Sequence, residues 1–131
     1  MGMRVVEQVA VLSPCEKAGL DPERLEQLFA RLGPQEGENV VCRAMEELAC
    51  RLGHADRLFT QGDWPEMRKC TRALGRIAEQ IGMSGLSRIS RDVVQCIDDG
   101  DGVALSATLA RMVRMGESSL YALWDLQDLS V

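Results

Sequence analysis

Apolar residues recur at helical spacing along most of the chain. Between Asp21 and Leu32, Leu25, Leu28, Phe29 and Leu32 follow the i, i+3, i+4, i+7 rule. Asp21-Pro22-Glu23 supplies a cap, a proline in the first turn and an acid near the positive end of the helix dipole. Gly33-Pro34 ends this short helix, and Gln35 to Glu38 read as a polar loop. A longer helix is predicted from about Asn39 to Thr60, with Val41, Ala44, Met45, Leu48, Leu52, Ala55 and Phe59 inward and Gln61-Gly62 as its break. Asp63-Trp64-Pro65-Glu66 has the form of a capping box and starts the next helix, whose inner stripe is Met67, Cys70, Thr71, Leu74, Ala78 and Ile81. Gly82 ends it. Ser84 is placed to cap a further helix carrying Leu86, Ile89, Val93 and Ile97. After the polar turn Asp98 to Gly102, a last helix is predicted from about Val103 to Leu126 on the seam Leu105, Leu109, Met112, Gly116, Leu120 and Leu123.

Four long amphipathic helices joined by short loops predict an all-α fold. The specific expectation is an antiparallel up-down-up-down four-helix bundle over residues 21–131, with the short helix ahead of it. Residues 1–20 are read as an N-terminal arm, in which Val5, Val6, Val9, Ala10, Val11 and Leu12 suit either a strand or a short helix.

Composition supports this reading. The 131 residues are 46% hydrophobic, enough to build a core, yet only Phe29, Phe59, Trp64, Tyr121 and Trp124 are aromatic, which disfavours a β-sandwich. The odd count of 5 cysteines contains no Cys-x-x-Cys pair, so the chain is expected to be reduced and cytoplasmic. No apolar run reaches the length of a membrane span, and the N-terminus makes a poor signal peptide.

Charge brings in the first candidate chemistry. The net charge of −5 argues against nucleic acid as a partner. Residues 66–91 stand apart, with 6 basic and 2 acidic side chains, net +4. Within them Arg68, Arg72 and Arg76 lie at i, i+4 and i+8, opposite the apolar stripe, with Lys69 near the edge of the row. Gly75 stands beside them in mid-helix, where glycine costs about 1 kcal/mol relative to alanine. Its presence suggests that something approaches the backbone closely. The plain alternative is an ordinary solvated face; the functional one is a ridge that docks anions.

The stretch GDWPEMRKCTRALGRIAEQIGMSGL, residues 62–86, resembles the core of histidine-containing phosphotransfer (HPt) domains. That family shows a Gly-Asp-Trp-type helix start, then His-x-Leu-Lys-Gly-x-Ala, then Leu-Gly and a later Leu. Here Leu74, Ala78, Ile81-Gly82 and Leu86 match, and the helical pattern of residues 20–126 follows the family's order. The departure is chemical. Arg72 occupies the position of the phosphorylated His, and the Lys-Gly pair is exchanged to Gly75-Arg76. Arginine stays protonated and is no nucleophile at neutral pH. The resemblance therefore implies a binding module of two-component phosphorelay signalling rather than an enzyme. Its partner would be the acidic surface of a response-regulator receiver domain, met by Arg68, Lys69, Arg72, Gly75 and Arg76.

Two other readings stay open. His54, the one histidine, lies between Arg51 and Arg57 and would serve a working phosphocarrier. Alternatively, the chain is a helical structural subunit that buries Tyr121 and Trp124 in a homodimer seam. Metal and cofactor are not expected: the cysteines are scattered, the Asp98 to Asp101 turn lacks the closing Glu of a calcium loop, and Cys42, Cys50 and Cys70 read as buried small apolar residues.

Overall fold

A computed structural model describes residues 19–130, with side chains through Leu126. The N-terminal arm expected over residues 1–20 lies outside this range except for Gly19 and Leu20. The described chain is all-helical, with α1 at Pro22–Leu32, α2 at Pro34–Gln61, α3 at Trp64–Gln80, α4 at Ser84–Asp99 and α5 at Gly102–Ser130. α1 packs on α2, α2 on α3, α3 on α4, α4 on α5, and α5 returns to α2. The core fills the middle of this arrangement: Leu48, Met67, Leu74, Ile81, Met83, Leu86, Val93 and Met112 are fully enclosed. Each is apolar and unbranched or singly branched, and each removes side-chain surface from water that is worth about 1.5–3 kcal/mol.

Local signals explain most boundaries. Asp21 accepts a hydrogen bond from the Arg24 amide, and Asp63 accepts one from the Glu66 amide, each at 3.3 Å. Only half of the expected capping box forms, because the Asp63 amide is already bonded to the Leu58 carbonyl at 3.0 Å. The Glu66 carboxylate turns instead to Lys69 Nζ, 3.3 Å away. α2 and α4 close on Gly62 and Gly100, both left-handed, with φ of 70° and 68°.

Two starts differ from the sequence expectation. α2 begins at Pro34, not near Asn39. Pro34 sits in the first turn, where no amide is needed, and Gly37 is buried under the Phe29 ring, so contact with α1 extends the helix through a polar segment. α4 is capped at Met83 with no side-chain hydrogen bond, and Ser84 is already inside the helix. Burial of the Met83 side chain fixes that turn. The Asp21 amide adds a 2.6 Å bond to the Gly82 carbonyl, and the Gly85 amide a 2.9 Å bond to the Gly19 carbonyl. No described helix is long and apolar enough to cross a membrane.

Candidate functional site

The seam between α3 and α4 carries the cationic residues. Met67, Cys70, Thr71, Leu74 and Ala78 turn inward as the periodicity predicts, which leaves Lys69, Arg72 and Arg76 exposed on the outer side of α3. Thr71 is buried with its hydroxyl unpartnered in the protein.

The row is not uniform. Arg68 is half-buried and clamps Asp98 of α4 with two bonds, Nε to Oδ1 at 2.7 Å and Nη2 to Oδ2 at 3.1 Å. This fork holds the Asp98 carboxyl below its ordinary range, chiefly through the hydrogen bond from Arg68, against an opposing desolvation, with smaller help from the charges of Arg68 and then Arg72. The same bond raises the Arg68 guanidinium. Arg68 is therefore committed within the molecule and is not a free docking group, as its place in the row had suggested. Lys69 is loosely held by Glu66, and among the described residues Arg72 and Arg76 make no ion pair.

Gly75 also differs from expectation. It is buried, and a Cβ there would collide with Ser90 Oγ and lie 3.3 Å from Ser90 Cβ. The close approach that a mid-helix glycine signals is made by α4, not by a partner. Ser90 in turn donates to the Ser87 carbonyl at 2.7 Å, which satisfies its hydroxyl inside the seam. Gly75, Ser87 and Ser90 let the two helices meet backbone to backbone.

Tight approach brings in a residue the sequence reading passed over. Arg91 follows Ser90, is exposed, and holds Nη1 3.5 Å from Ser87 Oγ. The available signal was its place at the end of the cationic stretch. What was missing was the pairing of Ser90 with Gly75, which sets the level at which α4 meets α3.

The contact between α2 and α5 is different in kind. α2 and α5 enclose an open groove of about 690 Å³ lined by Leu52, Phe59, Leu109, Val113 and Leu120, with Asp56 and Glu117 among its polar members. Tyr121 and Trp124 are 72% and 59% exposed on the same helix. Trp64 is 43% exposed and rests against Phe59, ring centres 5.9 Å apart, as an end-of-helix anchor.

His54 is exposed on α2, on a different helix from the arginines. Cys70 is buried as expected, its thiol directed at the Arg51 carbonyl at 3.4 Å, and burial pushes it up against the opposing charge of Arg51. Cys42 is half-buried, whereas Cys50 is exposed, because its position falls on the outer edge of the α2 stripe. Among the described residues no group of three or more His, Cys, Asp or Glu side chains is arranged to hold a metal ion.

No protein-family model matches the chain, and comparisons with curated proteins and with solved structures give no match.

Proposed function

We propose that this chain is an HPt-like signalling module that binds a response-regulator receiver domain and does not accept its phosphoryl group. In this reading α2 to α5 form an antiparallel up-down-up-down bundle. Support comes from two- or three-residue connections at Gly62-Asp63, Ile81–Met83 and Gly100-Asp101, and from the closed order of helix contacts. The observation that carries the function is the exposure of Arg72 and Arg76 on α3, without an ion pair among the described residues, Arg72 where the resembled family carries its phosphorylated His and Arg76 where the exchange of its Lys-Gly pair puts the basic residue. A guanidinium fork binds carboxylate or phosphoryl oxygens but forms no phosphoramidate. The module acts by occupancy, in the cytoplasm, as a non-enzymatic competitor or holder of its partner.

Titration of receiver domains from the same organism at low and high salt tests this. At least one is expected to bind. Arg72→Glu should weaken it tenfold or more while leaving the helical circular dichroism intact, and added salt should slow association, because charges across a rim steer encounter. Failure of every receiver to bind, or indifference to Arg72→Glu, would overturn the reading. Acid-labile phosphate on His54 after incubation with a phosphorylated receiver would replace it with a working carrier. The α2/α5 groove with exposed Tyr121 and Trp124 favours a second reading, a self-associating subunit. Light scattering that finds a dimer, dissolved by Trp124→Glu, would select it.

A further inference from the structure

Guanidiniums with no ion pair among the described residues come from two helices near one level of the α3/α4 seam. Gly75 meets Ser90, and Arg91 is the next residue along α4. On α3, Arg76 directly follows Gly75 and Arg72 precedes it by three positions, so both lie within one turn of the contact. Arg91 is turned toward the seam, its Nη1 against Ser87 Oγ, while the Ser87 carbonyl stands 4.0 Å from the Cβ position of Gly75. Asp98 accepts both prongs of Arg68, and Arg72 acts on it only through charge, as the last of the contributions that lower its carboxyl. Among the described residues Arg72 and Arg76 form no ion pair, and Arg91 holds a hydroxyl at 3.5 Å.

We infer that Arg72, Arg76 and Arg91 form a three-guanidinium cradle for one compact tetrahedral dianion, a phosphoryl group. The seam of Gly75, Ser87 and Ser90 draws the helices close enough for α4 to supply the third member. Three forks from two helices exceed what a lone carboxylate can satisfy, since it offers two oxygens and one charge. A phosphoryl group offers three oxygens and close to two charges. Arg91 thus sets the preference of the site. This inference deepens the proposed function and rests on it only for the source of the phosphoryl group: the module would hold the phosphorylated form of its partner in preference to the unmodified form.

The test uses the full chain and two probes. Inorganic phosphate is titrated while the arginine Nε–Hε resonances are followed by NMR, with acetate as the carboxylate comparison. The resonances of Arg72, Arg76 and Arg91 should move together, and that of Arg68, held by Asp98, should stay. Phosphate should bind about tenfold more tightly than acetate, and Arg91→Ala should remove about tenfold of phosphate affinity. Arg91→Lys keeps the charge and loses the fork, so it should recover only part of the loss. Arg43→Ala, at an exposed position on α2, should change nothing. A stationary Arg91 resonance, equal affinity for acetate, or full phosphate binding by Arg91→Ala would overturn the cradle. The second probe is a receiver domain with and without beryllofluoride. A receiver that binds through Arg72 but ignores Arg91→Ala and beryllofluoride would sink the cradle and keep the module. Phosphate binding that needs Arg91, in a chain that no receiver recognises, would keep the cradle and sink the module.

Discussion

The two faces of the molecule are built on opposite principles. At the α3/α4 seam, Gly75 lies against Ser90, the seam is sealed by small residues, and the surface above it is cationic. At the α2/α5 face, Gly116 lies against Leu52, and the two helices border an open apolar groove that Asp56 and Glu117 also line. Small residues occur at both. At the first Gly75 is filled by a facing helix; at the second Gly116 meets Leu52, whereas Gly53 has open space with an Arg57 nitrogen 3.5 Å away. A glycine in a helix therefore reports close packing only where the facing element is known. Charge follows the same division: the sealed seam can afford a dense cationic surface because Arg68 is tied down by Asp98, whereas the groove leaves its hydrocarbon uncovered.

The largest expected difference lies in the core walls of the two faces. Leu74 is fully buried behind the cationic side of α3, and Leu74→Ala should cost about 3 kcal/mol through lost transfer energy and the cavity left behind. Leu120 is only partly buried in the groove wall, and Leu120→Ala should cost about 1 kcal/mol. Urea unfolding of both variants measures the gap. Equal losses would mean that something covers the groove in solution.

Glycine replacement sharpens the comparison at a smaller scale. Gly75→Ala should destabilise by about 1 kcal/mol, because the new methyl meets Ser90 Oγ and the strain exceeds the gain in helix propensity. Adding Ser90→Ala should recover most of that loss, a coupling that a double-mutant cycle reads directly. Gly53→Ala should instead raise stability by a little under 1 kcal/mol, since no neighbour resists it. If Gly75→Ala is as benign as Gly53→Ala, the tight seam is not the feature that holds α3 and α4 together.

The smallest effect concerns pH. The Asp98 carboxyl is depressed in the folded chain by the fork from Arg68. A depressed carboxyl contributes stability above its unfolded value, near the ordinary range of about 4, and that contribution fades as pH falls through the folded value. Asp98→Asn should therefore lower the urea midpoint slightly at neutral pH, and the gap between variant and parent should close in strong acid. Asp98 is exposed and Arg68 only half-buried, so the effect should be modest and shrink with salt. A gap unchanged at low pH would show that the pair contributes through packing alone.

Much of the fold was legible in the sequence because helical burial has a short period. Met67, Cys70, Leu74, Ala78 and Ile81 are buried where the 3.6-residue rhythm places them, and Asp21 and Asp63 cap where their neighbours say they must. The solvent-facing placement of Arg72 and Arg76 follows from the same rhythm. The α2 start at Pro34 and the Met83 cap were not legible, because each depends on a contact with a distant residue, Phe29 in the first case and the enclosing core in the second.

By itself the chain determined which residues turn inward, where most helices begin and end, and that one helix carries a positive face. Those properties are local, settled by side-chain chemistry within one or two turns. Only the tertiary structure decided which of the cations are free. Asp98 lies 30 positions from Arg68 and takes it out of play, while Ser90 seats against Gly75 and sets the level at which Arg91, the next residue, leaves α4. Neither pairing leaves a trace in periodicity, because helix-to-helix register is set by the fit of small residues across a seam and not by the pattern along either helix.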